Sequence, residues 1–140
     1  MFIRYTLIFG ITVFLFLVFI MIIPRIFSLP YGIYMMKTGS MEPSIKPLDL
    51  VVIAKTDDYK IGDVIMFCIY DECIAHRIIN IDGEIITTKG DASPQPDTPI
   101  IKDIVRGKAI AVIPRAIWIT ILMSLSILSA IMDIRRILNT

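Results

Sequence analysis

Hydrophobic positions along the chain fall into three regimes. Residues 5 to 23, "YTLIFGITVFLFLVFIMII", run without a charge; as a helix rising about 1.5 Å per residue they cover roughly 28 Å, the depth of a bilayer's hydrocarbon core. A second apolar run at 116 to 132, "AIWITILMSLSILSAIM", is shorter and carries Thr120, Ser124, Ser126 and Ser129. It fits a span with local thinning of the bilayer, a helix packed through its small residues, or one buried at the interface. Between the two, the pattern changes to short Val/Ile-rich runs separated by Pro, Gly and Asp: "YGIYMMK", "DLVVIAK", "DVIMFCIY", "CIAHRIIN", "EIITTK" and "IVRGKAIAVI". Six such runs predict short strands in a small antiparallel sheet or barrel. The expected organisation is a membrane anchor at 1–25, a mainly β domain at 26–115, and an apolar, transmembrane helix with a short basic tail at 116–140.

Composition supports that division. A chain of 140 residues makes one domain at most, and 56% hydrophobic content with a mean hydropathy of +0.76 exceeds what a soluble domain usually carries. A cleavable secretory leader would need a shorter apolar core and a small-x-small site behind it; here the core is long and "PRIFSLP" follows, so the first run reads as a retained anchor. Arg4 precedes the first run and Arg135 with Arg136 follow the second. The positive-inside tendency then puts both tails inside and the β domain outside, although Arg25 and Arg115 pull against it. Residues 26–115 hold ten Lys or Arg against twelve Asp or Glu, with no basic patch to suggest a nucleic-acid partner.

The longest irregular stretch is "GDASPQPDTP" at 90 to 99, and long loops in compact domains are more often functional than merely connecting. "CIYDEC" sets Cys68 and Cys73 either side of a tight turn, opposite each other across a hairpin, where a disulfide is geometrically feasible. Two reduced, half-buried strand residues are the alternative, and an oxidising outside location tips the balance toward the bond. The single histidine, His76, leaves a zinc site short of ligands at workable spacing, so no metal or cofactor is expected.

Nucleophilic chemistry is what remains. General-base work near neutral pH falls most naturally to histidine, and only His76 is on offer. Strand alternation places Ile74, His76 and Ile78 on one face and Ala75, Arg77 and Ile79 on the other. A hydrogen-bonded or surface histidine is the plain reading until a nucleophile is found nearby. Ser40 is the candidate: in "TGSMEPS" Gly39 lets the backbone approach a substrate and Pro43 stiffens the turn, an arrangement that can hold the hydroxyl exposed, while taken alone the segment also fits an ordinary turn.

Three segments, "TGSMEP" with Ser40, "AHRI" with His76 and "KGDASPQPD" with Asp91 and Asp97, together resemble the boxes of type I signal peptidases. The histidine resembles the archaeal and endoplasmic-reticulum branch, where the bacterial branch carries a lysine. The resemblance covers about residues 35 to 113 and the amino-terminal anchor. It implies a serine endopeptidase that removes signal peptides from preproteins at the outer face of an archaeal plasma membrane or an endoplasmic reticulum. In it Ser40 is the nucleophile, His76 the base, Asp97 the carboxylate that orients the imidazole, and Asp91 a second required acid. Sequence physics alone does not separate the two aspartates, because a ten-residue loop with three prolines can aim either at His76.

The backbone N–H of Ser40 and the hydroxyl of Thr38 are the oxyanion donors the resemblance implies. Thr38 stands where relatives commonly have serine, and the acid loop lacks the asparagines that often follow the first aspartate. Implied partners are preprotein signal peptides, the lipid bilayer, and accessory membrane subunits or a secretion translocon. A membrane-tethered adaptor without catalysis, or a peptidase restricted to a few substrates, would also suit the anchor and strands.

Overall fold

All six Val/Ile-rich runs become strands. The computed structural model describes residues 3–26, 29–70 and 72–138. In chain order its elements are helix α1 (Ile3–Ile26), β1 (Tyr31–Met35), β2 (Leu50–Ala54), β3 (Val64–Ile69), β4 (Glu72–Asp82), β5 (Ile85–Lys89), β6 (Ile100–Ile101), a 3-10 turn at Lys102–Ile104, β7 (Val105–Ile113) and helix α2 (Arg115–Leu138). Only β6, two residues closing the long loop against β5, has no counterpart in the pattern. Many side chains of α1 lie outside the described residues, so the retained anchor at 5–23 stays an expectation of the sequence.

The strands form one sheet in the order β1-β2-β7-β3-β4-β5-β6, and every pairing is antiparallel. Placing β7 between β2 and β3 joins the two halves of the domain, and it leaves β1 as an edge strand running straight into the segment that carries Ser40. The expected alternation in β4 holds from Ile74 to Ile78. There a register shift between Ile78 and Asn80 leaves Ile79 without a partner on β5. A bulge of this kind breaks the two-residue period, and Ile79 is 40% exposed. Cys68 and Cys73 face each other across the β3–β4 hairpin and are joined by a disulfide.

Two apolar clusters make the core. Ile65, Phe67, Ile78, Ile86, Ile100 and Val105 pack around the β3–β5 half. Met36, Met41, Ile45, Val51, Ile53, Met66 and Ala75 pack beneath the Ser40 segment. Met41 is fully buried. Removing a side chain of that size from water is worth about 1.5–3 kcal/mol, so the residue after Ser40 pins the serine's backbone to the core.

Asp49 ties the end of the Ser40 segment to α2. Its carboxylate accepts the N–H of Arg115 (2.7 Å) at the helix start and the N–H of Lys46 (2.9 Å). The Arg115 guanidinium donates to the Pro47 carbonyl (3.0 Å) and the Trp118 indole N–H to the Leu48 carbonyl (3.0 Å). Burial raises the Asp49 pKa, but the two backbone N–H groups and the nearby cations outweigh it and hold the carboxyl below its ordinary value. Leu48 itself sits at φ 69°, a left-handed conformation that costs an L-residue roughly 1–2 kcal/mol. These clamped contacts hold it there. Among the described residues, Arg115–Met132 of α2 is long and apolar enough to cross a membrane.

Candidate active site

Ser40 lies in a run of turns between β1 and β2, where the Glu42 N–H donates to the Gly39 carbonyl (3.0 Å) and the Ile45 N–H to the Met41 carbonyl (2.9 Å). His76 comes from β4, on the face shared with Ile74 and Ile78, and is 8% exposed. Its ring stands edge-on to Phe67, with centroids 6.5 Å apart. Asp97 comes from the proline-rich loop after β5. These positions, 36 and 21 residues apart in sequence, converge: His76 Nε2 is 3.1 Å from Ser40 Oγ, and His76 Nδ1 is 2.5 Å from Asp97 Oδ2.

This order determines where protons sit. A carboxylate accepts only, so the ring donates Nδ1–H to Asp97. Nε2 then carries a lone pair facing the serine hydroxyl, the arrangement in which an imidazole takes a proton from a nucleophile. Thr38 Oγ1 is 3.3 Å from Ser40 Oγ, so the threonine hydroxyl borders the reacting atom.

Asp91 is placed differently. Arg77, the residue after the histidine, donates Nε–H to Asp91 Oδ1 (2.8 Å) and Nη2–H to Oδ2 (2.7 Å), a bidentate pair of the strong kind. Arg77 also donates to the Gly62 carbonyl (2.8 Å). The guanidinium's hydrogen bonds hold the Asp91 carboxyl below its ordinary range against the opposing effect of burial, and the Asp91 carboxylate raises Arg77 in return. The two aspartates that the sequence leaves undivided therefore have different partners: Asp97 meets the ring and Asp91 meets the arginine.

Three contributors have no role that the sequence alone assigns. Arg77 looks like an ordinary strand charge. Thr88, fully buried on β5, donates its hydroxyl to Asp97 Oδ2 (2.7 Å). Gly90 abuts the site: a Cβ there would come within 2.7 Å of the Ser40 carbonyl and 3.0 Å of His76 Nε2. The Ala92 N–H donates to that same carbonyl (2.9 Å), so the acid loop is stitched to the serine segment over a glycine with no room to grow. Gly39, the glycine before the serine, is less confined, since a Cβ there would meet only the side chain of Glu42, at 3.3 Å or more. The signal for Gly90 was its place before Asp91, which reads equally well as a turn. Gly90→Ala is expected to lower kcat for peptide cleavage by roughly 10–100-fold, because displacements below 1 Å in a reacting array carry such costs. Steady-state kinetics beside a thermal melt would check it, the crowded contact also lowering the melt by several degrees.

No group of three or more His, Cys, Asp or Glu side chains gathers to hold a metal ion among the described residues. No curated protein matches the chain. A family profile described as "Signal peptidase, peptidase S26" matches residues 6–106, a span that includes Ser40, His76 and both aspartates. With most of its length matched, the chain belongs to the signal peptidase, peptidase S26 family.

Proposed function

We propose that the protein is a membrane-bound serine endopeptidase of the archaeal and endoplasmic-reticulum type, which removes amino-terminal signal peptides from secreted and membrane preproteins. The observation that carries this reading is the unbroken line of contacts from Ser40 Oγ through His76 to Asp97, at 3.1 and 2.5 Å. Family membership supports signal-peptidase activity, and the histidine in place of a lysine supports the branch.

In this reaction Ser40 Oγ attacks the scissile carbonyl while His76 Nε2 takes its proton. The imidazolium so formed is stabilised by Asp97 and then protonates the leaving amine. Water, deprotonated by the same ring, releases the acyl chain. The Ser40 N–H and the Thr38 hydroxyl are the donors for the tetrahedral oxyanion. Asp91 holds Arg77, and through it the strand position next to His76, rather than contacting substrate.

Substrate would enter as an added strand on the open edge of β1, where backbone hydrogen bonds give affinity and alternate side chains reach pockets. The exposure along β1 is mixed. Gly32 is buried and Met35 is 38% exposed, which suits a strand with one side in the core and one toward a ligand. With α1 as an anchor and α2 as a second span, the peptidase domain sits outside the membrane, at the surface where the cleavage region of an inserted preprotein emerges. Signal peptides and the bilayer are then its partners, with accessory subunits or a translocon as further ones.

The test is incubation of the purified protein in detergent or lipid with a labelled preprotein, followed by sequencing of the new amino terminus. A single cut after a small residue supports the proposal. An intact preprotein, under conditions where the protein is folded, would leave an adaptor role instead. A panel of unrelated preproteins separates general from narrow specificity.

A further inference from the structure

Asp97 lies on a ten-residue loop whose prolines at 94, 96 and 99 preclude regular pairing, yet its carboxylate must be held steady to orient a ring. Its steadiness comes from one residue. The Thr88 carbonyl accepts the Asp97 N–H at 2.8 Å, and the Thr88 hydroxyl donates to Asp97 Oδ2 at 2.7 Å. Thr88 therefore grips the aspartate at backbone and side chain at once.

Strand register explains why a residue at this position can do so. Thr88 pairs with Ile78 across β4 and β5. Ile78 and His76 are two apart on one strand and share a face, so Thr88 stands on that same face, one diagonal step from the histidine. The loop returns from Lys89 to drop Asp97 between them. The oxygen that takes the Thr88 hydrogen bond is the one that takes His76 Nδ1–H.

We infer that Thr88 is a positioning residue for the reaction, fixing the Asp97 carboxylate so that the oxygen it holds is the one that faces the ring. The inference rests on the peptidase reading above. A buried hydroxyl needs some partner, so packing alone accounts for its having one. The shared oxygen goes further. Without the hydroxyl the carboxylate is free to turn about its own bonds, and a carboxylate that no longer faces Nδ1 stabilises the charged ring less well. The backbone bond from Asp97 to Thr88 survives a side-chain change, so the loop stays in place and only the carboxylate's aim is lost.

Thr88→Val removes the hydroxyl at nearly constant volume, and Thr88→Ser keeps it. With valine, kcat is expected to fall roughly 10–100-fold with KM within about twofold, and the acid limb of the kcat/KM profile to move to lower pH. Serine should restore most of the turnover and return the limb to its place. Asp91 and its partner Arg77 are unchanged in each variant, so a moved limb reports on Asp97. Thr88→Ala serves the same purpose should the valine protein not fold.

The chain has a single histidine, so NMR of the imidazole carbon-bound protons follows its titration with no substrate present. The midpoint should fall in the valine or alanine protein and not in the serine one. An unmoved midpoint and limb, or a serine variant as impaired as valine, would overturn the inference. Wild-type protein that cleaves no preprotein would defeat the peptidase reading instead, while the ring titration still reports whether Thr88 acts on His76.

Discussion

Replacing either Ser40 or His76 with alanine should lower kcat/KM for preprotein cleavage by about 10⁴-fold or more, and the double replacement should lose little beyond either single one. The reason is geometric. With 3.1 Å between the hydroxyl and Nε2, the two groups act in one proton transfer, and removing either leaves the other nothing to do. Additive losses would mean that the residues work in separate steps, and the line of contacts would need another explanation. In the intact protein, cleavage should decline as the solution is acidified, since an imidazolium cannot accept the serine proton. Full turnover by His76→Ala, with contaminating peptidases excluded by the Ser40→Ala preparation, would refute the assignment.

The second large effect separates the two aspartates. Asp97→Ala should lower kcat by at least about 10²-fold with KM little changed, because the carboxylate orients and stabilises the ring without touching substrate. Asp91→Ala should fail by another route. It leaves the Arg77 guanidinium, 35% exposed, without its bidentate partner. The cost is roughly 2 kcal/mol, below that of breaking a fully buried pair because water reaches the arginine. A fall in melting temperature on the order of 5–10 °C follows for a domain of this size.

The pH dependence of that stability has a definite sign. Arg77 depresses the folded-state Asp91 pKa below the model-peptide value of 3.8. Its contribution is therefore complete above that value and disappears as pH falls below it, through the folded-state value. Thermal melts taken from pH 5 downward through 3.8 and below should show a larger acid-induced loss in wild type than in Asp91→Ala, which keeps the acid sensitivity of Asp49. A melt insensitive to the substitution, or a defect confined to KM, would contradict this division of roles.

Why was some of this legible from the chain and some not? Strands β1 to β5 and β7 were legible because their Val and Ile runs are short, alternating and bounded by turn formers, which is local information. Ser40 and His76 stood out as candidates because a single histidine narrows the search and the resemblance of "TGSMEP" and "AHRI" to signal-peptidase boxes singles out a serine that the turn alone does not. The partner of His76 was not legible, because the choice between Asp91 and Asp97 depends on how a loop with three prolines folds back over β5. Arg77 and Thr88 were missed for a related reason. An arginine on a strand and a threonine in "ITTK" are typical of any half-buried sheet, and only the pairing of β4 with β5 reveals what they face. β6 is two residues long, too short for a period to show.

The Asp49 latch has a mechanical consequence. One carboxylate holds both the first turn of α2 and the backbone of the Lys46–Asp49 turn, while Trp118 and Arg115 grip the adjoining carbonyls of Leu48 and Pro47. The helix and the loop leading back to Ser40 thus behave as a single lever. If α2 is seated in lipid, the height of Ser40 above the bilayer is set by a few hydrogen bonds rather than by the slack of a tether.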